Sequence, residues 1–371
     1  MGLRALVIED SLVFQKIMAE VLRSLPGVEA VDVAGSGADG LAAAGRQLPD
    51  VVFLDLHLPD LDGLEVLDRL KARWPRLKVV VVSGLTVEGV DLTIAALSRG
   101  AQQFVRKPAG SGFAQSVAQL RAELEPAVQT VRAQAVAPAP APLRAPVIPV
   151  TVPAAAARTA SAARPAAAPR VPPAGFWVTA IAVSTGGPEA LSRLIPRLPA
   201  SYPLPVVIVQ HMPPLFTQSL ARSLDARAAL RVVEAADGDV VRAGSVYIAP
   251  GGRHLTVVRE GGQPVCRLND DAPEQSVRPA ADVLFRSLAR LAGPQRVLAA
   301  VLTGMGEDGL AGVRLLKGGG AWCLTQSAES CVVYGMPRAV DAAGLSDESV
   351  ALDEMADRLT ALAARGSASR V

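Results

Sequence analysis

Neither sign of charge dominates this chain: 37 basic residues stand against 35 acidic ones over 371 positions, a formal net charge of +2. A nucleic-acid binder shows a one-sided excess or a Lys/Arg stripe; with neither in view, no nucleic-acid partner is expected. Cysteine is scarce. Cys266, Cys323 and Cys331 make no C-x-x-C pair, and three cannot pair off completely, which suits a reducing cytosol. No uninterrupted apolar run reaches the roughly 18 residues of a spanning helix, so no membrane insertion is expected. Met1-Gly2-Leu3-Arg4 and the short apolar run after it lack a signal-peptide cleavage pattern. A soluble, cytoplasmic protein is the expectation.

Half of the residues are hydrophobic, enough for large buried cores, and the length points to more than one domain. Over 131–173 the chain is almost wholly Ala, Pro, Val and Arg. Proline fixes φ and removes backbone donors, so such a stretch suits a semi-rigid spacer rather than a core. The expected organisation is a first domain over 1–122, an Ala/Pro-rich linker over 123–174 and a second domain over 175–365. Ahead of the linker, residues 3–9, 51–54, 79–82 and 104–105 read as buried strands, with helical spacing over 13–25 and from 64 to 70. Behind it, 178–183, 206–209 and 297–302 read as strands that run into polar or glycine residues. Strands alternating with helices predict α/β architecture, two doubly wound parallel sheets whose sites lie at the carboxyl ends of the strands.

Glu9, Asp10 and Asp55 all stand at such ends. Like charges gathered at one edge need a cation, and an all-oxygen donor set suits Mg²⁺. A carboxylate is also a nucleophile toward a phosphoryl group. Ser83 and Lys107 add a hydroxyl and an ammonium at the same edge. A single strand-end carboxylate is ordinarily a helix cap, but five polar groups at successive strand ends are poorly explained that way. The strings IEDS (8–11), FLDLHLPDLDG (53–63), VSG (82–84) and FVRKP (104–108) resemble response-regulator receiver domains, which are flavodoxin-like, over about residues 1–120. That resemblance implies phosphorylation of Asp55, Mg²⁺ held by Glu9 and Asp10 with Asp55, switch positions at Ser83 and Phe104, and a phosphate-contacting Lys107. A Glu-Asp pair replaces the usual Asp-Asp, which keeps the charge, and His57 occupies a variable position.

The second domain is poor in bases: its only histidines are His211 and His254, and its only lysine is Lys317. A serine nucleophile there must draw its base from that short set. Ser184 sits where a strand breaks into Thr-Gly-Gly-Pro, beside free backbone N–H groups able to hold an oxyanion. His211 ends the next strand before Met-Pro-Pro, and Asp308 follows a third strand within a glycine-rich turn. Ser, His and Asp at three strand ends match what a triad requires. Each has a plainer reading, as turn residue or structural histidine, and Gly-x-Ser-x-Gly is absent, so spacing alone leaves both a hydrolase and a catalytically silent fold open. His254, followed by apolar residues, reads as structural.

The strings AVSTGGPEAL (182–191), VQHMPPLFTQSLA (209–221), VYIAPGGRHL (246–255), LTGMGEDG (302–309) and VVYGMP (332–337) resemble the CheB-type chemotaxis protein-glutamate methylesterases. With the receiver in front, the resemblance covers the chain apart from the linker. It implies a triad of Ser184, His211 and Asp308, with Thr185 and Met305 offering backbone donors around the oxyanion and no cofactor for the ester hydrolysis. It also implies methyl-accepting chemoreceptors as substrate, a chemotaxis histidine kinase as phosphodonor, and deamidation of receptor glutamines. Ser327-Ala328 replaces an acidic pair usual in the family, and Val277 a histidine; both bear on receptor preference rather than chemistry. Two other readings remain at this stage. A DNA-binding output would need a basic helix-turn-helix, which is missing; a phosphorylation-dependent interaction protein without catalysis would not need the Ser, His and Asp that are present.

Overall fold

The computed structural model describes residues 2–84, 86–108, 113–136, 171–291 and 296–367. In the first unit, strands β1 (Leu3–Ile8), β2 (Val28–Ala34), β3 (Val51–Asp55), β4 (Lys78–Ser83) and β5 (Gln103–Arg106) alternate with helices α1 (Leu12–Ser24), α2 (Gly37–Arg46), α3 (Gly63–Arg73), α4 (Val87–Ser98) and α5 (Phe113–Val136). All strand pairs are parallel, in the order β2-β1-β3-β4-β5. β3 and the valines of β4 are buried throughout, as strands covered by helices on both faces must be. Ser11, Ser36, Asp62 and Thr86 cap α1 to α4, each side chain accepting a backbone N–H of the first turn.

α5 runs on past residue 122, where composition placed the start of the linker, and reaches Val136 through Pro126. The apolar stripe explains the extension. Leu120, Leu124, Ala127, Val128 and Val131 share one buried cluster with Met18, Leu22, Phe53 and Val80, so packing outweighs an unfavourable composition. Residues 137–170, which carry most of the expected linker, lie outside the described residues.

The second unit holds β6 (Phe176–Val183), β7 (Val206–Gln210), β8 (Arg231–Glu234), β9 (Ser245–Ile248), β10 (His254–Glu260), β11 (Gln263–Asn269), β12 (Arg296–Val301), β13 (Trp322–Gln326) and β14 (Glu348–Val350). Its helices are α6 (Gly187–Leu194), α7 (Phe216–Asp225), α8 (Ala281–Leu291), α9 (Leu310–Gly318), α10 (Met336–Ala342) and α11 (Leu352–Ser367). Seven strands form a parallel sheet in the order β14-β13-β12-β6-β7-β9-β8, while β10 and β11 make a separate antiparallel hairpin. The chain leaves β6 first toward β7 and later returns to β6's other side as β12. That reversal of direction is where open α/β sheets place their sites.

The two units pack through α4, which lies against α6 and α7, and buried apolar residues of both belong to one continuous cluster. Asp91 on α4 accepts from Ser219 Oγ at 2.5 Å and from Arg222 at 2.8 Å. Ser192 Oγ on α6 donates to Ser98 Oγ at 2.9 Å. The Phe104 ring stacks on Phe216, with centroids 4.3 Å apart. Among the described residues no helix is long and apolar enough to cross a membrane.

Candidate functional sites

The first site lies at the carboxyl edge of the five-stranded sheet. Glu9 follows β1 and Asp55 ends β3; both are buried, while Asp10 is exposed. Carboxylate oxygens of the three lie within 4.8 Å of one another. Lys107 Nζ stands 2.6 Å from Asp55 Oδ2 and 2.8 Å from Glu9 Oε2, and the His57 N–H donates to Asp55 Oδ1 at 3.2 Å. Burial pushes the Glu9 carboxyl up to about 7; the charge of Asp55 pushes the same way, against Lys107. The Lys107 ammonium is held above its ordinary value: burial opposes this, but the two carboxylates outweigh it. One ammonium thus neutralises three carboxylates incompletely. Glu9 Oε2 is buried against the Lys107 ammonium, and the donors are all hard oxygens whose charge one ammonium does not balance, so the residues fit a divalent cation such as Mg²⁺. Ser83, buried at the end of β4, donates to the carbonyls of Gly84 and Gly89 at 3.3 and 3.2 Å. Its hydroxyl therefore faces α4 and not Asp55. Phe104, on β5, turns to Phe216 of the second unit.

The second site occupies the reversal point of the seven-stranded sheet. Val183 pairs with Gln210 in the β6–β7 register, which sets Ser184 beside His211 at adjacent strand ends. His211 Nε2 lies 2.7 Å from Asp308 Oδ2. Among the described residues no hydrogen bond joins Ser184 Oγ to His211; with Nε2 on Asp308, Nδ1 is the nitrogen free to reach the serine. Asp308 is buried and accepts two further bonds, from the N–H groups of Ala281 (2.6 Å) and Asp282 (2.9 Å) that open α8. Burial works against its charge, but His211 and these two amides outweigh it and hold the carboxyl below the usual range. A helix N-terminus adds to that preference. His254 is fully buried, its two ring nitrogens engaged by Ala272 O and the Ala280 N–H, as its apolar setting led us to expect.

Thr185 and Met305 flank Ser184 from two loops. Among the described residues neither backbone N–H donates to a protein acceptor, and the Met305 side chain is exposed. Gly186 and Gly309 open α6 and α9 at φ values of +79° and +95°, a conformation that favours glycine. A Cβ on Gly304 would lie 2.4 Å from Met336 Sδ and 2.8 Å from Ser184 Cβ. Gly304→Ala is therefore expected to displace Ser184 with the fold retained; a crystal structure of the variant with Ser184 unmoved would contradict that reading.

Residue types alone did not single out Gln210 and Thr303. The Gln210 amide, fully buried, donates to the carbonyls of Ser184 and His211 at 3.0 and 3.3 Å and so ties the two strand ends together. Thr303 Oγ1 donates to Thr185 O at 2.9 Å and accepts from the Val333 N–H at 2.9 Å, which braces the Thr185 turn. The one available signal was position: Gln210 directly precedes His211, and Thr303 follows β12 by two residues.

Residues 5–116 match the response regulator receiver domain family, and residues 179–359 match the CheB methylesterase family. Over 364 residues the chain is 40% identical to a protein-glutamate methylesterase/protein-glutamine glutaminase of Symbiobacterium thermophilum, with 98% of each chain covered. A protein of the same name from Trichodesmium erythraeum is 38% identical over 96% of this chain and 97% of its own. A solved CheB methylesterase catalytic domain of Thermotoga maritima is 40% identical and covers 50% of this chain, with a TM-score of 0.49.

Proposed function

Because the chain belongs to the CheB-type family of receiver-linked protein-glutamate methylesterases, a family of chemotaxis hydrolases, we propose that Ser184, His211 and Asp308 are its catalytic triad and Asp55 its phosphorylation site. The observation that carries the triad is the 2.7 Å pair of His211 Nε2 with a buried Asp308, beside Ser184 at the next strand end. With Nε2–H donated to Asp308, Nδ1 is the basic nitrogen. It takes the proton of Ser184 Oγ as that oxygen attacks the glutamyl ester carbonyl. The free N–H groups of Thr185 and Met305 receive the oxyanion, and methanol leaves with the imidazole's proton. Water then repeats the sequence on the acyl-enzyme and restores a receptor glutamate. Asp308 keeps the tautomer and stabilises the imidazolium. Glutamine deamidation follows the same path with ammonia leaving. The experiment is incubation of the full chain with membranes carrying methyl-labelled chemoreceptors: label is expected in volatile methanol, and release no faster than in buffer would contradict the reading.

In the receiver, the Asp55 carboxylate is the nucleophile toward a phosphoryl group supplied by a chemotaxis histidine kinase. Glu9 and Asp10, with Asp55, would hold Mg²⁺, whose charge would offset that of the phosphoryl oxygens. Lys107, already within hydrogen-bond distance of Asp55, contacts the phosphoryl group. The Ser83 hydroxyl leaves Gly89 for it, which frees α4. Since α4 and Phe104 carry the contacts to α6 and α7, which begin just after Ser184 and His211, phosphorylation loosens the packing beside the esterase site. We place the protein in the cytoplasm, with the cytoplasmic portions of receptors as substrate and the segment over 137–170 as a linker between the units.

A resting interface that restrains the enzyme has a measurable consequence. Asp91→Ala combined with Phe104→Ala removes the Ser219 and Arg222 partners and the ring stack. Basal methanol release without phosphodonor is expected to rise several-fold, about the 5-fold that a coupling of 1 kcal/mol gives. An unchanged or lower basal rate in a folded double variant would mean that the interface does not restrain the enzyme.

A further inference from the structure

A cavity of about 400 Å³ lies in the seam between the two units, lined by neither the acidic cluster nor the catalytic residues. Lys71, Arg76, Lys78 and Arg99 reach its walls from the first unit, Glu189 and Cys331 from the second. Arg99 is paired with Asp68 at 2.8 Å. Lys71 donates to the Leu77 carbonyl at 3.0 Å, and among the described residues Glu189 is the carboxylate whose charge acts on it. The side chains of Arg76 and Lys78 have no hydrogen bond or ion pair among the described residues. Burial lowers the Lys78 ammonium, and the charge of Arg76 acts in the same direction. Cations so placed attract an anion.

Gln102 supplies an independent observation. It lines the same cavity, is only 4% exposed, and neither its amide nitrogen nor its amide oxygen has a hydrogen-bond partner. Buried amides with both ends unpaired are rare in native proteins and call for a partner that occupies the adjoining space. Water could pair the amide but would leave the charge excess uncompensated. The volume falls within the ~300–1,000 Å³ of small-molecule sites.

We propose that this seam binds a small phosphate-bearing anion, held by Lys71, Arg76 and Lys78 and paired by Gln102. Arginine and lysine together suit phosphoryl oxygens, the one as a fork of donors and the other as a point charge. The walls come from both units, so the anion binds the packed arrangement and, by linkage, stabilises it. The seam also borders the esterase site. Glu189 lies on α6 just beyond Thr185 and Gly186, and Val332, another wall residue, stands where a Cβ on Gly186 would meet it at 2.6 Å. An occupant would therefore hold the loop beside Ser184 in its resting position.

Two readouts on the unphosphorylated full chain test this, both independent of ester hydrolysis. The first is calorimetric titration with inorganic pyrophosphate in the absence of Mg²⁺, with ATP in a second arm. The second is the alkylation rate of Cys331, which is partly exposed, whereas Cys266 and Cys323 are buried. Sub-millimolar binding of pyrophosphate is expected, with slower Cys331 alkylation. Loss of one charge-assisted contact should weaken binding about 10-fold or more in Lys78→Gln, and Gln102→Leu, which pairs nothing, should weaken it in a variant that keeps every charge. Tighter binding of ATP than of pyrophosphate supports a nucleotide as the source of the phosphate; equal binding supports recognition of the phosphoryl groups alone. Absence of both heat and protection at millimolar pyrophosphate would overturn the proposal. So would unchanged affinity in folded Lys78→Gln and Gln102→Leu, which would place the anion elsewhere.

Discussion

Ser184→Ala and His211→Ala are each expected to lower methanol release from methylated receptors on the order of 10⁴-fold or more, with both variants folded. The magnitude follows from the shortage of substitutes. His254 has both ring nitrogens committed to the backbone, and Lys317 is held 2.5 Å from Asp347, so neither the other histidine nor the lysine of the second unit is free to serve Ser184. The fold should survive because neither change strips a buried charge of its partners. When His211 is removed, Asp308 still accepts from the Ala281 and Asp282 N–H groups, and Ser184 contributes only its backbone N–H and C=O to the surrounding hydrogen bonds. Thermal midpoints close to wild type, measured alongside the rates, separate lost chemistry from lost folding. Retention of more than about a tenth of the activity in either folded variant would contradict a unit that acts together.

Asp55→Asn is expected to abolish phosphorylation by a small phosphodonor, and with it all phosphodonor-dependent stimulation of the esterase. Asn keeps the shape, and its one amide oxygen can still accept from Lys107 or from the His57 N–H, which Asp55 meets with separate oxygens, but it lacks the anionic oxygen that attacks phosphorus. Excess chelator should act on wild type as the substitution does, because Glu9, Asp10 and Asp55 within 4.8 Å of one another cannot all stay ionised beside an incoming phosphoryl group without a cation. Mapping the label is decisive. Phosphate found on another residue of Asp55→Asn, or full labelling in chelator, would place the acceptor or the metal elsewhere.

Both sites were legible in the sequence because parallel strands buried on two faces are written as continuous apolar runs. The polar residue that ends each run marks the edge where sites collect. Thus Val51–Asp55, Val206–Gln210 and Arg296–Val301 were located to within about a residue, and with them Asp55, His211 and the turn before Asp308. The length of α5 was not legible. Its composition near Pro126 reads as spacer, and only the partners of Leu124, Val128 and Val131 in α1 and the sheet reveal a helix. Gln210, Thr303 and the direction of the Ser83 hydroxyl were hidden for a related reason. Each is defined by a hydrogen-bond partner distant in sequence or set by local backbone path, which residue type does not encode. The seam cavity was likewise invisible, since Lys78, Gln102 and Glu189 meet only when α4 packs on α6.

The most direct test is a ratio measured on one preparation of the full chain: the initial rate of labelled methanol release from methylated receptor membranes with Mg²⁺ and a small phosphodonor, divided by the rate with Mg²⁺ alone. A receiver that restrains Ser184 through α4 and releases it on phosphorylation of Asp55 predicts a ratio well above one, collapsing to one in Asp55→Asn. A ratio of one in wild-type protein shown to be phosphorylated would contradict it, as would undiminished stimulation in Asp55→Asn.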